Sequence, residues 1–181
     1  MKKNHFCFLA SIVLALVLSS CMTITKSVNA PVETGDITIE VKKIIQEKGL
    51  GWWTMGIPIT TTKTKGLQVV ITNNTDKPQS INWNQSSINW LNYSSPVFLS
   101  GMKYSQAGQG TIPNTALGAG KSVTIDVYPA NNVEWTGKTW KIDGIKLKKG
   151  DELSLIAFTE SGIQIETSFV ASKNDGMHFI W

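Results

Sequence analysis

Apolar and polar residues alternate with a period of two along most of the chain after Asp36. The clearest alternating runs lie at 37–41, 67–71, 123–127, 153–155 and 163–169. Successive side chains of a strand point to opposite faces, so this pattern predicts strands with one buried and one solvated face. Residues 41–48 carry the one weak helical pattern, and their β-branched side chains favour strand there too.

Turn signals separate these runs about every ten residues, as is typical of a β-sandwich. Glu160-Ser161-Gly162 reads as a short hairpin turn, with glycine where the backbone needs a positive φ. Helix signals are nearly absent. The pattern therefore predicts an all-β fold, a single β-sandwich domain over residues 36–181.

The stretch SINWNQSSINWLNY, residues 80–93, contains the word SINW twice. It predicts two strand segments joined by residues 84–87, with isoleucine and tryptophan on one face of each. Trp83 is assigned to the core. The later aromatic residues are flanked by amides, and an aromatic ring beside amides suits a sugar face or a protein hot spot. The candidate ligand-binding residues of this stretch are Trp90, Tyr93, Asn89 and Asn92.

Trp52 is a further candidate, because adjacent tryptophans cannot both face the same side of a strand. One ring of Trp52-Trp53 is therefore expected on the surface. Trp135 and Trp140 bracket Thr136-Gly-Lys-Thr139, which predicts a hairpin with one ring covering the mouth of the sandwich. Lysines 138, 141, 146, 148 and 149 gather near this hairpin. They are expected to form a solvated edge, and contact with anionic lipid is the alternative.

The first 20 residues have the pattern of a signal peptide. Lys2 and Lys3 precede an apolar run at 6–18, which is too short for a comfortable membrane span. Leu18-Ser19-Ser20-Cys21 at the end of this run resembles the bacterial lipobox. The resemblance implies that Cys21 carries acyl chains and anchors the protein in the cell envelope. Met22, where aspartate would be a retention signal, favours the outer membrane.

Residues 21–35 are small and polar and are interrupted by Pro31 and Gly35. They predict a flexible tether between the lipid and the domain. As a random coil, a segment of this length spans on the order of 20 Å. The domain is therefore expected to stand clear of the lipid head groups.

The order of several motifs between residues 67 and 170 resembles a group of uncharacterised bacterial lipoproteins with an immunoglobulin-like β-sandwich domain. These motifs are VITNNTDKP, IxWNxSS, GMKY, LGAGKS and YPANNV, at 70–78, 81–87, 101–104, 117–122 and 128–133. The resemblance implies an immunoglobulin-like fold and an envelope location. It implies no activity.

The sequence lacks the residues that catalysis, metal binding and nucleic-acid recognition usually require. Every one of the 17 basic residues is lysine, and arginine geometry suits bidentate contacts to phosphate and guanine best. Removal of the signal peptide would leave one cysteine, at the lipobox, and one histidine, His178. No Gly-x-Ser-x-Gly motif or zinc-ligand spacing occurs. We therefore expect a protein that is not an enzyme and holds no cofactor or metal.

The sequence thus predicts an envelope lipoprotein whose sandwich binds another envelope or surface protein. The alternative is binding of a glycan, peptidoglycan or lipopolysaccharide through exposed tryptophan, tyrosine and asparagine side chains. Besides this partner, the membrane is contacted through the acyl chains at Cys21.

Overall fold

The computed structural model describes residues 36–52, 58–107, 110–172 and 176–179. The predicted signal peptide, the lipidation site at Cys21 and the tether lie outside the described residues, as do Trp53 and the side chain of Trp52. The described strands are β1 (Ile37–Trp52), β2 (Pro58–Asn73), β3 (Gln79–Trp90), β4 (Tyr93–Leu99), β5 (Thr115–Leu117), β6 (Ser122–Pro129), β7 (Val133–Trp135), β8 (Trp140–Ile142), β9 (Glu152–Thr159), β10 (Gln164–Val170) and β11 (Gly176–Phe179). One helical turn, α1 (Tyr104–Ala107), and a 3-10 turn, Ala130–Asn132, complete the described elements.

The fold is all-β, as predicted, and its sheets are antiparallel and curled. The main path of hydrogen-bonded strands runs in the order β1-β2-β6-β4-β3-β9-β10, with β11 also paired to β2 and β5 to β3. β4 joins the two halves, because its first residues pair with β3 and Val97–Leu99 pair with β6. β1 and β10, the ends of this path, lie close together. The sheet therefore curls around one core.

Most apolar side chains of the alternating runs are buried, as predicted, whereas Val41, Val123 and Ile125 are half-buried. The fully buried residues are Ile37, Ile39, Leu67, Val69, Ile71, Ile81, Trp83, Ile88, Leu153, Leu155 and Ile165, among others. Residues 41–48 form strand, as expected from their β-branched side chains. The predicted hairpin turn at 160–162 is confirmed: the N–H of Thr159 donates to the carbonyl of Ile163 at 2.9 Å, and Gly162 has φ of 85°. Ile163 itself is exposed, because β10 begins one residue later.

The chain enters the fold at one end of the sheet, here called the N-terminal end. The carbonyl of Asp36 accepts a hydrogen bond from the N–H of Asn74 at 2.8 Å, which places the first described residue beside the turn after β2. That turn is bonded to the next one by the N–H of Gly120, which donates to the carbonyl of Thr75 at 3.1 Å. The turn between β9 and β10 lies at the same end, since the N–H of Glu160 donates to the carbonyl of Ser80.

The opposite end of the sheet, here called the distal end, contains the turn between β3 and β4. Trp90 at the end of β3 pairs with Tyr93 of β4 on one side and with Leu153 of β9 on the other. β9 runs from this end to the N-terminal end. At about 3.3 Å per residue, the strand separates the two ends by about 20 Å.

The predicted hairpin around Trp135 and Trp140 is present as β7 and β8, and it covers part of β4. The two tryptophans face each other in the ladder, and their ring centroids are 5.0 Å apart. The ring of Trp140 packs edge-on against Phe98 of β4 at 4.9 Å, and its Nε1–H donates to the carbonyl of Met102 at 2.8 Å. Tyr104 of α1 stacks on Trp135 at 5.3 Å. These contacts fix the hairpin to the sheet through aromatic packing.

Gly66 lies where β2 passes against β6, and we expect Gly66→Ala to destabilise the fold. An added methyl group would overlap the carbonyl oxygen of Val127 and lie 2.8 Å from Cδ1 of Tyr128. Neither the backbone oxygen nor the buried ring can move freely, so overpacking lowers the free energy of unfolding by about 2 kcal/mol. Urea denaturation of purified protein measures this loss. Gly118→Ala is the matched control, because its methyl group would meet only the flexible side chain of Lys121 at 3.4 Å. Equal unfolding midpoints for the two variants would contradict the argument.

Candidate functional site at the distal end

The repeated SINW words belong to a single strand that contains an insertion. Residues 84–87 were predicted to connect two strands, and this is wrong, because β3 is continuous from Gln79 to Trp90. Asn82 pairs with Phe158 of β9, and Ser87 pairs with Ile156. Between these pairs β3 advances five positions and β9 advances two, so β3 holds three extra residues. An odd insertion reverses the alternation of faces.

This reversal explains why both copies of the word bury their tryptophans. Trp83, before the insertion, is fully buried as predicted, and Trp90 after it is 9% exposed. The two residues are seven positions apart, and a regular strand would place them on opposite faces. The extra residues are held by side chains: Asn84 exchanges hydrogen bonds with the backbone of Ile112, at 2.7 and 2.9 Å, and the hydroxyl of Ser86 donates to the carbonyl of Asn82 at 2.8 Å.

β3 and β4 are joined by the two-residue turn Leu91-Asn92, because Trp90 and Tyr93 pair directly. Turns of this length need a positive φ at their first residue, which glycine or asparagine normally supplies. Here the residue is leucine, with φ of 50°, the one non-glycine residue with positive φ in the described part of the chain. The left-handed conformation costs a leucine roughly 1–2 kcal/mol. Its side chain is nevertheless 60% exposed and recovers little of this cost by packing.

Tyr93 forms an exposed aromatic surface next to this turn. Its side chain is 64% exposed, and its ring stacks on the buried ring of Trp90 at 5.8 Å between centroids, with 23° between the planes. The buried tryptophan therefore supports the tyrosine from behind. A tyrosine fixed in this way loses little side-chain entropy when a ligand covers it.

The turn and Tyr93 form one wall of an open groove with a volume of about 380 Å³. Its described lining residues are Trp90, Leu91, Tyr93, Ser94, Asn131, Asn132, Ile145 and Lys146. The walls are tied together by hydrogen bonds at their bases. The N–H of Asn131 donates to the hydroxyl of Ser95 at 3.0 Å, and the amide of Asn132 donates to the carbonyl of Asp143 at 3.2 Å. Ile145 exchanges backbone hydrogen bonds with Thr64 of β2, at 2.7 and 3.0 Å.

Polar groups of the groove remain available to a ligand. Neither the side-chain amide of Asn131 nor the hydroxyl of Ser94 has a hydrogen-bond partner among the described residues. Lys146 is exposed and, within the same residues, forms no ion pair; the ion pairs found there join Lys65 to Glu47 and Lys141 to Asp143. The groove thus combines an apolar surface with an amide, a hydroxyl and an ammonium group that bond to no other described side chain. Such a combination suits ligand binding.

The predicted site residues divide between this groove and other places. Tyr93 and Trp90 both line the groove, but Trp90, predicted as an exposed ligand contact, is only 9% exposed, because the odd insertion in β3 turns it inward. Asn89 precedes Trp90 and projects to the other face of β3, where it is half-buried. Asn92 is exposed in the turn. Trp52 ends β1 opposite Pro58, and its side chain lies outside the described residues.

Nothing in the sequence marked residues 131, 132 and 145 as ligand contacts, and Lys146 was expected only as part of a solvated edge. Residues 131 and 132 follow β6, and residues 145 and 146 follow β8, about 40 to 55 positions after the turn between β3 and β4. The pairing of β4 with β6 brings the first two to the groove, and the pairing of residue 145 with Thr64 brings the other two. No local pattern marks this contact. Asn131 and Asn132 fall inside the motif YPANNV, and the resemblance that this motif helps to carry implied no ligand contact for them.

The structure also shows where several of the lysines near the hairpin lie. Lys146 lies at the groove and Lys148 and Lys149 follow it, at the distal end. Lys141 pairs with Asp143 at 3.2 Å.

The described residues hold no cluster of three or more histidine, cysteine or acidic side chains arranged for a metal ion. None of the helices in the described ranges is long and apolar enough to cross a membrane.

Comparison with known proteins found no matching family model, no similar curated protein and no similar solved structure.

We expect Leu91→Gly to raise the free energy of unfolding by about 1 kcal/mol, because glycine adopts the left-handed conformation without steric cost. Leu91→Ala keeps the Cβ atom and hence most of the strain, so it serves as the control. Chemical denaturation of the wild-type protein and both variants gives the comparison. A glycine variant no more stable than the alanine variant would show that the backbone at Leu91 is not strained.

Proposed function

We propose that the protein is a lipid-anchored envelope protein, attached through acyl chains at Cys21, whose immunoglobulin-like β-sandwich binds another envelope or surface protein in the distal groove. The observation that carries this proposal is the exposed pair Leu91 and Tyr93. One of them is held in a strained backbone conformation and the other is supported by a buried tryptophan. The protein acts by binding, without catalysis.

An exposed leucine in a strained turn favours a protein partner. Strained backbone conformations concentrate at functional sites, where the rest of the fold maintains them. Glycine at this position would relieve the strain, so the side chain itself is the reason to keep leucine. Aliphatic and aromatic side chains around a cleft are typical anchors of protein interfaces, where a few buried residues supply most of the binding energy. Leu91 and Tyr93 would become buried in the complex.

The position of the groove supports the same proposal. The chain enters at the N-terminal end, and the groove lies at the distal end, about 20 Å away along β9. An anchor at Cys21 would attach at the end of the domain opposite the groove, and a flexible tether of on the order of 20 Å would leave the groove accessible from the aqueous space. A partner that is not in the same lipid leaflet has access to this end.

Glycan binding is the second candidate, and the exposed face of Tyr93 favours it. An aromatic ring covers the apolar face of a sugar, and the side-chain amides of the exposed residues Asn92 and Asn131 suit hydroxyl groups. Leu91 offers nothing to such a ligand that a smaller residue would not. The strained leucine is thus explained by the protein partner and unexplained by the sugar.

In-cell photo-crosslinking tests the proposal, with the photoreactive residue p-benzoylphenylalanine at position 93. This replacement keeps an aromatic ring on the support of Trp90. We expect one discrete crosslinked protein. The control probe at position 164 replaces Gln164, which is exposed at the N-terminal end, and it should give no such product. Adding Leu91→Gly to the probe at 93 should reduce the product at least severalfold, although the fold is then more stable.

Other crosslinking results would contradict the binding of a protein in the groove. A smear from position 93 that collapses after glycan digestion would support the second candidate. The same product from positions 93 and 164, or none from 93, would show that the groove is not the binding site.

A further inference from the structure

Lys146 gives the groove a positive charge that no ion pair within the described part of the chain compensates. No described acidic residue lines the groove. Asp143, the nearest acid along the chain, pairs with Lys141 at 3.2 Å, and Asp151, five residues after Lys146, accepts the backbone N–H of Lys148 at 2.7 Å through its carboxylate. Both carboxylates are therefore engaged elsewhere. Among the described residues, Lys146 therefore has no ion-pair partner, and a ligand in the groove meets its positive charge.

The neighbours of Lys146 fix the position of this charge. Ile145 and Leu147 on either side are buried, and the bridge between Ile145 and Thr64 holds the backbone against β2. The lysine side chain must then project from the surface, at the edge of the apolar wall that Ile145 contributes. An ammonium group next to an apolar surface attracts a ligand that carries a carboxylate close to an apolar group.

We infer that the groove takes an extended segment of the partner protein in which a large apolar side chain lies within two residues of an aspartate or glutamate. The apolar side chain packs between Tyr93 and Ile145, the carboxylate pairs with Lys146, and the amide of Asn131 bonds to the backbone of the segment. Residues up to two apart in an extended chain are separated by no more than about 7 Å, which matches neighbouring contacts within one groove. This inference rests on the proposed function.

Selection from a phage-displayed random heptapeptide library tests the inference without knowledge of the partner. The full chain, held in detergent micelles through its own anchor, serves as the target. We expect selected peptides to be enriched in leucine, phenylalanine or tryptophan next to, or one residue from, aspartate or glutamate. With Lys146→Glu as the target, the acidic preference should be lost and lysine or arginine should replace it. Lys148→Glu, an equal change of charge on an exposed neighbour outside the groove lining, should leave the selection as it is.

Affinity measurements give the size of the effect. A synthetic copy of a selected peptide, labelled with fluorescein and followed by fluorescence polarisation, should bind the Lys146→Gln variant about fivefold more weakly, as expected for one exposed ion pair. Lys148→Gln should change the affinity less than about twofold. The difference between wild type and Lys146→Gln should shrink in high salt, because screening weakens exposed ion pairs.

The outcomes separate this inference from the proposed function. Enrichment of apolar residues without acidic ones, or an acidic preference that Lys146→Glu leaves unchanged, would overturn the inference and leave protein binding in place. No enrichment over a target that carries Tyr93→Ala would overturn both.

Discussion

The odd number of extra residues in β3 is the constraint on which the distal end depends. Side chains of a strand alternate strictly, so one register can bury either Trp83 or Trp90 but not both. Three added residues between Asn82 and Ser87 restore the inward direction for the second copy of the word. Without them Trp90 would point to solvent and Tyr93 would have no ring behind it. The tryptophan of the first SINW word thus packs in the core, and the tryptophan of the second packs in the core and also supports Tyr93 at the groove.

The two ends of the sheet satisfy their polar groups in different ways. At the N-terminal end, Asn73 is fully buried, and its amide donates to the carbonyls of Lys77, Leu117 and Gly118 at 2.8 to 3.2 Å. Its oxygen accepts the N–H and the hydroxyl of Thr75. Buried amides that are completely bonded specify one structure. At the distal end, the side-chain amide of Asn131 and the ammonium of Lys146 have no bonding partner among the described residues, so they can bond to a ligand. Internal hydrogen bonds thus fix the N-terminal end, whereas the distal end presents polar groups to a ligand.

Much of the fold could be predicted from the sequence because it depends on local patterns. The alternation of apolar and polar residues predicted the strands, and the glycine after Glu160-Ser161 predicted the turn. Trp83 was assigned correctly because its neighbours alternate with it. The insertion could not be predicted, because NQS between two copies of SINW reads equally well as a loop; only pairing with β9 distinguishes the two. The same limit explains why Trp90 was expected on the surface.

The candidate site was predicted in part, for a related reason. Tyr93 and Asn92 could be found because they stand at the end of a strand pattern. The opposite wall comes from residues 131 to 146, whose approach depends on β4 changing partners from β3 to β6 and on the bridge between Thr64 and Ile145. These are contacts between distant segments and leave no periodic trace. The strain at Leu91 is also invisible in the sequence, since LN between two strand patterns is unremarkable until its φ is known. A site of this kind becomes recognisable when three observations meet: an exposed apolar side chain, a backbone conformation that works against it, and free polar atoms across the groove.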